Sequence, residues 1–121
     1  MDAGQGIERL NLILQGIPDN DDYRMLRGSV IARRAELHLE LDENDDAWED
    51  AQRAMNAGWY DAAVHSIAGW AMYGRDELEH ARASFDRALE IDADRVSSLI
   101  GRAIVLSDLE EYDLARTDLS R

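Results

Sequence analysis

The residues with most chemistry to offer are three histidines and one run of acids. Glu77 and His80 are three positions apart. On a helix that spacing puts both on one face, as in the Glu-x-x-His pairs of di-iron bundles. Such a centre needs a second pair and two further glutamates, and the chain carries the motif once. The stretch Asp42-Glu43-Asn44-Asp45-Asp46 opens like a calcium loop. That loop would continue with glycine at 47 and a bidentate glutamate at 53. The chain has Ala47 and Arg53 there, so the stretch reads as a solvated turn. No Ser-His-Asp order, glycine-rich phosphate loop or zinc spacing occurs. Cysteine and lysine are both absent. Thiol nucleophiles, thiolate metal sites and Schiff-base chemistry are excluded with them. No catalytic residue, metal or cofactor is expected.

The charge balance narrows the partners. There are 26 acids against 13 bases, all arginine, for a net charge of −13. Nucleic acid and anionic membrane surfaces both require a basic face, so neither is expected. A basic partner suits this charge, as does an apolar one at salt concentrations that screen it. At 121 residues the chain has room for one domain. No apolar run approaches the roughly 20 residues of a membrane span. The N-terminus lacks a basic segment followed by an apolar one. A cytoplasmic location is the expectation.

The elements that must position these residues emerge from an internal repeat. Shifted by 34 residues against itself, the sequence aligns Ala35, Gly69 and Ala103 in a column of small residues. Ala47, Ala81 and Ala115 form a second small column, and Ala54 and Ala88 a shorter one. His38, Met72 and Leu106 share a larger column, as do Ala51, Phe85 and Leu119. Asn44, Leu78 and Tyr112 align ahead of the second small column. Within one period, small residues let two helices approach closely and large neighbours fill the flanks. No alternating strand signal of useful length is present.

On these columns the chain resembles the tetratricopeptide repeat (TPR) family, whose 34-residue unit is a pair of antiparallel helices. The resemblance is clearest over 62–95, where Gly69, Ala81, Phe85 and Ala88 match the family pattern. Ala93 stands where the family usually has proline, and Ala51 replaces the aromatic in the unit over 28–61. The third unit, 96–121, has Leu99, Ala103, Tyr112 and Ala115 and stops inside its second helix. The resemblance implies an all-α, right-handed superhelical array of about three units within a TPR domain over 21–121. Residues 1–20 supply an extra N-terminal helix. Ile7, Leu10, Ile13, Leu14 and Ile17 share one face of a helix over 7–17, which Pro18 ends. That helix is read as a cap over the first unit, with dimerisation, groove filling or a degenerate unit as alternatives. The missing end of unit three is read as belonging to a longer protein, or as covered by another chain.

The resemblance also implies a concave groove lined by the first helix of each unit. Transferred by position, its columns are Glu36, Trp70 and Ile104; Ala32, Ser66 and Ile100; Leu39, Tyr73 and Ser107; and Ser29, Ala63 and Ser97. Trp70, Tyr73, Ile100 and Ile104 would form an apolar patch, with Glu36, Leu39 and Ser66 beside it. The alternative is that the chain covers this patch itself. The lysine, asparagine and arginine clamp of chaperone-binding family members is absent from these columns. His38 and His65 fall in packed columns and are read as structural. Trp59 is expected to pack the junction of units one and two. Trp48 is expected to fill the volume left by Ala51, with an exposed contact on the convex face as the alternative.

The function expected is a protein–protein interaction scaffold without catalysis. Its partner would be a protein or peptide segment held in the groove. One alternative is a self-assembly or structural domain of a larger protein, including a homodimer. Another is an acidic secretion-type chaperone for a hydrophobic client.

Overall fold

A computed structural model describes residues 2–109 together with 117–118. Among these residues the chain forms six α-helices and a short 3-10 helix, with no strand. Helix α1 spans Ala3–Gly16, and a 3-10 turn over Asp21–Tyr23 leads into α2, Arg24–Glu40. Then follow α3, Asn44–Asn56; α4, Ala62–Gly74; α5, Leu78–Ile91; and α6, Val96–Asp108. Helices α2 and α3 pair, as do α4 and α5, and each pair packs on the next through α3 and α4 or α5 and α6. The fold is an all-helical repeat array. Tyr112, Ala115 and Leu119, placed by sequence in the second helix of unit three, lie outside the described residues.

Helix α1 starts four residues earlier than the periodicity of 7–17 suggests. A capping box accounts for the extension. Asp2 Oδ1 accepts from the Gln5 amide at 2.8 Å, and Gln5 Oε1 accepts from the Asp2 amide at 3.1 Å. The helix stops where Pro18 forces Ile17 into an extended conformation. Ile7, Leu10, Leu14 and Ile17 are half-buried, but Ile13 is turned outward and 51% exposed. Arg27 donates to the Leu14 and Ile17 carbonyls at 3.3 and 3.2 Å, tying the end of α1 to α2.

The turns inside units one and two are copies of each other. Asp42 and Asp76 both sit at φ 61°, one repeat length apart. Aspartate is among the few non-glycine residues that tolerate this region. Glu43 donates its amide to the His38 carbonyl and Glu77 its amide to the Met72 carbonyl, each at 2.9 Å. Between units the α3 helix ends with Gly58 at φ 94° and the Trp59 amide bonded to the Ala54 carbonyl at 2.9 Å. This left-handed glycine termination makes a sharp stop without proline. Asp61 then caps α4 by accepting from the Val64 amide at 2.9 Å.

The core is built on alanine. Ala35, Ala47, Ala51, Ala54, Ala81 and Ala88 have no exposed surface, so helix backbones lie close together. Trp48 packs against the core beside Ala51 and also against the second cluster around Phe85. Trp48 thus bridges the two clusters from a partly buried position. The Arg75 guanidinium lies 5.4 Å from its ring centroid. Trp59 packs against the first cluster, at the junction of α3 and α4. Phe85 is the largest fully buried side chain, wedged between the backbones of α4 and α6.

His65, on α4, is half-buried near Arg87 and Glu90 of α5. Burial, and secondarily the Arg87 charge, hold its imidazole below the ordinary value of about 6.5. The folded state therefore binds a proton less readily than the unfolded one. Stability should fall as pH drops below about 6.5 and level off once the folded imidazole is also protonated. His65→Gln should remove that part of the pH dependence in thermal melts between neutral and mildly acid pH.

Candidate partner-binding face

Helices α2, α4 and α6, the first of each unit, lie side by side, each touching the next. Trp70 is the centre of the face they form. Its ring meets Phe85 edge-on at 5.3 Å and Tyr73 at 6.2 Å between centroids. Its indole Nε1–H donates to Ser97 Oγ on α6 at 3.0 Å, so the ring is held in place from both helices. Ser97 Oγ also lies 3.2 Å from Ser66 Oγ. Ser66 is only 2% exposed. It serves this internal bond and offers no free surface, unlike the contact position read from its column.

Ile100 follows Ser97 by about one turn on α6 and is 41% exposed. Ile104 and Tyr73 are half-buried. The Tyr73 phenol faces the Asp108 carboxylate, its strongest electrostatic neighbour. That contact, with lesser contributions from burial and the Asp108 charge, holds the phenol above its ordinary range. Glu36 and Leu39 belong to α2, at the far end of the face. Glu36 is exposed and pairs with Arg33 at 2.7 Å, while Leu39 packs half-buried on the first core cluster. The geometry thus gathers Trp70, Tyr73 and Ser97 at the α4–α6 junction, with Ile100 a turn further along α6 and an acid on α2.

Two groupings escaped sequence reasoning. The first is a pair of ion clusters at equivalent places in units one and three. Arg34 grips Asp50 through Nε and Nη2, at 2.7 and 2.8 Å, and donates to Asn11 on α1 at 2.9 Å. Arg102 grips Asp118 at 2.6 and 2.7 Å and donates to Asp86 on α5 at 3.1 Å. Asp50 and Asp118 are buried. These bonds raise both guanidinium pKa values, against the lowering effect of burial. Helix α1 therefore stands toward Arg34 as α5 stands toward Arg102. The signal was in the repeat frame, where Arg34, Ala68 and Arg102 share a column and Asp50, Ser84 and Asp118 another.

The second grouping is His38 with Glu43 and Asp46, whose ligating atoms all lie within 4.8 Å of one another. Sequence reasoning treated His38 as a packed column and 42–46 as a separate turn. The turn brings them together. Glu77 and His80, the other pair singled out by spacing, lie 3.9 Å apart, with His80 well exposed.

No family model matches the chain, and no curated protein matches it in sequence. Solved structures do resemble it. A structure titled MamA 41-end from Desulfovibrio magneticus RS-1 superposes with a TM-score of 0.80 at 14% identity, over 98% of this chain. The present chain spans 63% of the length of that one. A MamA RS-1 ArsTM double mutant gives a TM-score of 0.68 at 12% identity, over 98% of this chain and 82% of the other. At this identity the likeness carries the fold alone, which is all-helical and TPR-like.

Proposed function

We propose that this chain is a protein-interaction scaffold that holds a segment of a protein partner at the α4–α6 junction. The observation that carries the reading is Ile100, left 41% exposed about one turn along α6 from the Ser97 that holds the Trp70 indole. Aromatic residues, tryptophan and tyrosine above all, are favoured anchors of interfaces. The net charge of −13 favours a basic segment flanking an apolar one. The fold shared with the MamA structures suits such a scaffold role and needs no catalytic group.

A phage-displayed peptide library, panned on the chain at moderate salt, supplies the probe. Ile100→Glu should weaken the selected peptide at least tenfold and leave the melting curve nearly unchanged, since the residue is on the surface. Trp70→Ala is a poorer test, because its ring packs on Phe85 and its loss disturbs the fold. Unchanged peptide affinity in Ile100→Glu would remove the junction from the binding site.

A second reading, self-association through the N-terminal end, draws on Leu12, Met25 and Leu26, which are 67%, 56% and 51% exposed. Light-scattering mass of Leu12→Glu against the native chain separates the two readings. A dimer broken by this substitution would favour assembly.

A further inference from the structure

We propose that His38, Glu43 and Asp46 form a binding site for one divalent transition-metal ion of the zinc type. His38 comes from the last turn of α2, Glu43 from the turn and Asp46 from the first turn of α3. A ring nitrogen and one carboxylate oxygen from each acid already lie within 4.8 Å of one another. His38 Nδ1 is 2.9 Å from Glu43 Oε1. Ligand atoms around a tetrahedral zinc sit roughly 3.3 Å apart, as bonds of about 2.0–2.2 Å require. The pair is therefore spaced to chelate with small adjustment, and the exposed Asp46 can close by a rotamer change. One imidazole and two carboxylates suit a borderline ion and leave a position for water.

The Glu43 amide is bonded to the His38 carbonyl at 2.9 Å as Glu77 is to Met72 in unit two, so the backbone alone does not set this turn apart; two further observations do. The other face of the ring is provided for. His38 Nε2 lies 3.7 Å from Asp50 Oδ2, a carboxylate that is 2% exposed and held by Arg34. At that distance the two are in electrostatic contact without a hydrogen bond, and a small turn of the ring would bring the carboxylate into the orienting position common behind ligating histidines. Finally, the repeat does not require these residues. Units two and three place Met72 and Leu106 in the His38 column, and unit two places His80 where unit one has Asp46. Glu43 recurs as Glu77, so the turn alone explains the glutamate but not the histidine and aspartate around it. Arg34 and Arg53 stand in the same cleft and are bonded to Asp50, Arg53 also pairing with Glu49 at 3.9 Å, while the Asp46 charge acts on Arg34 as well. His38 and Asp46 line a polar cleft of about 210 Å³ together with Arg34, Glu49, Asp50 and Arg53, and Glu43 stands outside its lining.

The test is calorimetric titration of zinc chloride into the metal-free full chain, with cobalt absorption spectra as a second readout. One ion per chain should bind saturably. His38→Met copies unit two and should keep the fold, which its melting curve without metal checks. It should weaken zinc at least tenfold and abolish the zinc-induced rise in melting temperature. Glu43→Gln and Asp46→Asn should each weaken zinc about tenfold or more, whereas His80→Ala and Glu77→Gln should not. Absence of saturable binding overturns the proposal. So does binding that survives His38→Met or disappears with His80→Ala.

Discussion

Replacing Gly101 with alanine should destabilise the fold by about 1–3 kcal/mol, the usual range for forcing an atom into a close-packed core. A β-carbon at 101 would stand 2.3 Å from Phe85 Cζ and 2.5 Å from Cε1. The ring cannot swing aside. On its other side a β-carbon at Gly69 would already be 2.7 Å away, and the Trp70 ring closes the cluster at 5.3 Å. Phe85 has no exposed surface, so any shift must be shared by α4 and α6. The account is checked by a double-mutant cycle in urea, followed by circular dichroism. Phe85→Leu alone should cost a similar amount by leaving a partial void. In the Gly101→Ala background it should cost much less, because the added methyl fills part of that void. A coupling of about 1 kcal/mol or more is expected for groups in direct contact. Strict additivity would show that ring and glycine do not share one volume.

This cluster also marks how far the sequence could be read. Gly69 was legible because it shares a column with Ala35 and Ala103, and all three are buried. Phe85 was legible as the aromatic of the second helix. Gly101 was not, since its column holds Arg33 and Ile67. Its smallness answers to the direction the Phe85 ring takes across the groove between two units, which no one-dimensional period encodes. The start of α1 was hidden for a similar reason. Its first turn is made by the Asp2–Gln5 capping box around Gly4 and Gly6, not by apolar periodicity.

The candidate face was read in outline by transferring positions. Trp70, Tyr73, Ile100 and Ile104 do lie on adjacent first helices, but side-chain bonding decides which of them offers surface. Ser66 is buried and bonded to the exposed Ser97, and Leu39 turns into the core. The His38 cluster needed two readings to be joined. A histidine in an apolar column and acids in a turn are each unremarkable alone. They meet because the left-handed Asp42 reverses the chain and the Glu43 amide returns to the His38 carbonyl.

Arg34→Ala should be the more damaging change of a single charged side chain, with a loss of about 3 kcal/mol. Breaking a buried pair typically costs about 3–5 kcal/mol, because one charge is left without its partner. The low end applies here because Arg53 still lies 3.3 Å from Asp50. The repeat supplies the remedy. Unit two carries Ala68 and Ser84 where unit one has Arg34 and Asp50. Its helices pack as closely without an ion pair at those positions. The double variant Arg34→Ala, Asp50→Ser should therefore recover most of the lost stability, since replacing both partners avoids the stranded charge. A coupling of about 2 kcal/mol or more is expected in urea unfolding. Equal instability of the single and double variants would mean that the pair itself, beyond charge compensation, holds α2 to α3. Arg34 also bonds Asn11 on α1, a helix with no fully buried residue. Faster amide exchange along α1 in Arg34→Ala, persisting in the double variant, would separate that tether from the buried charge.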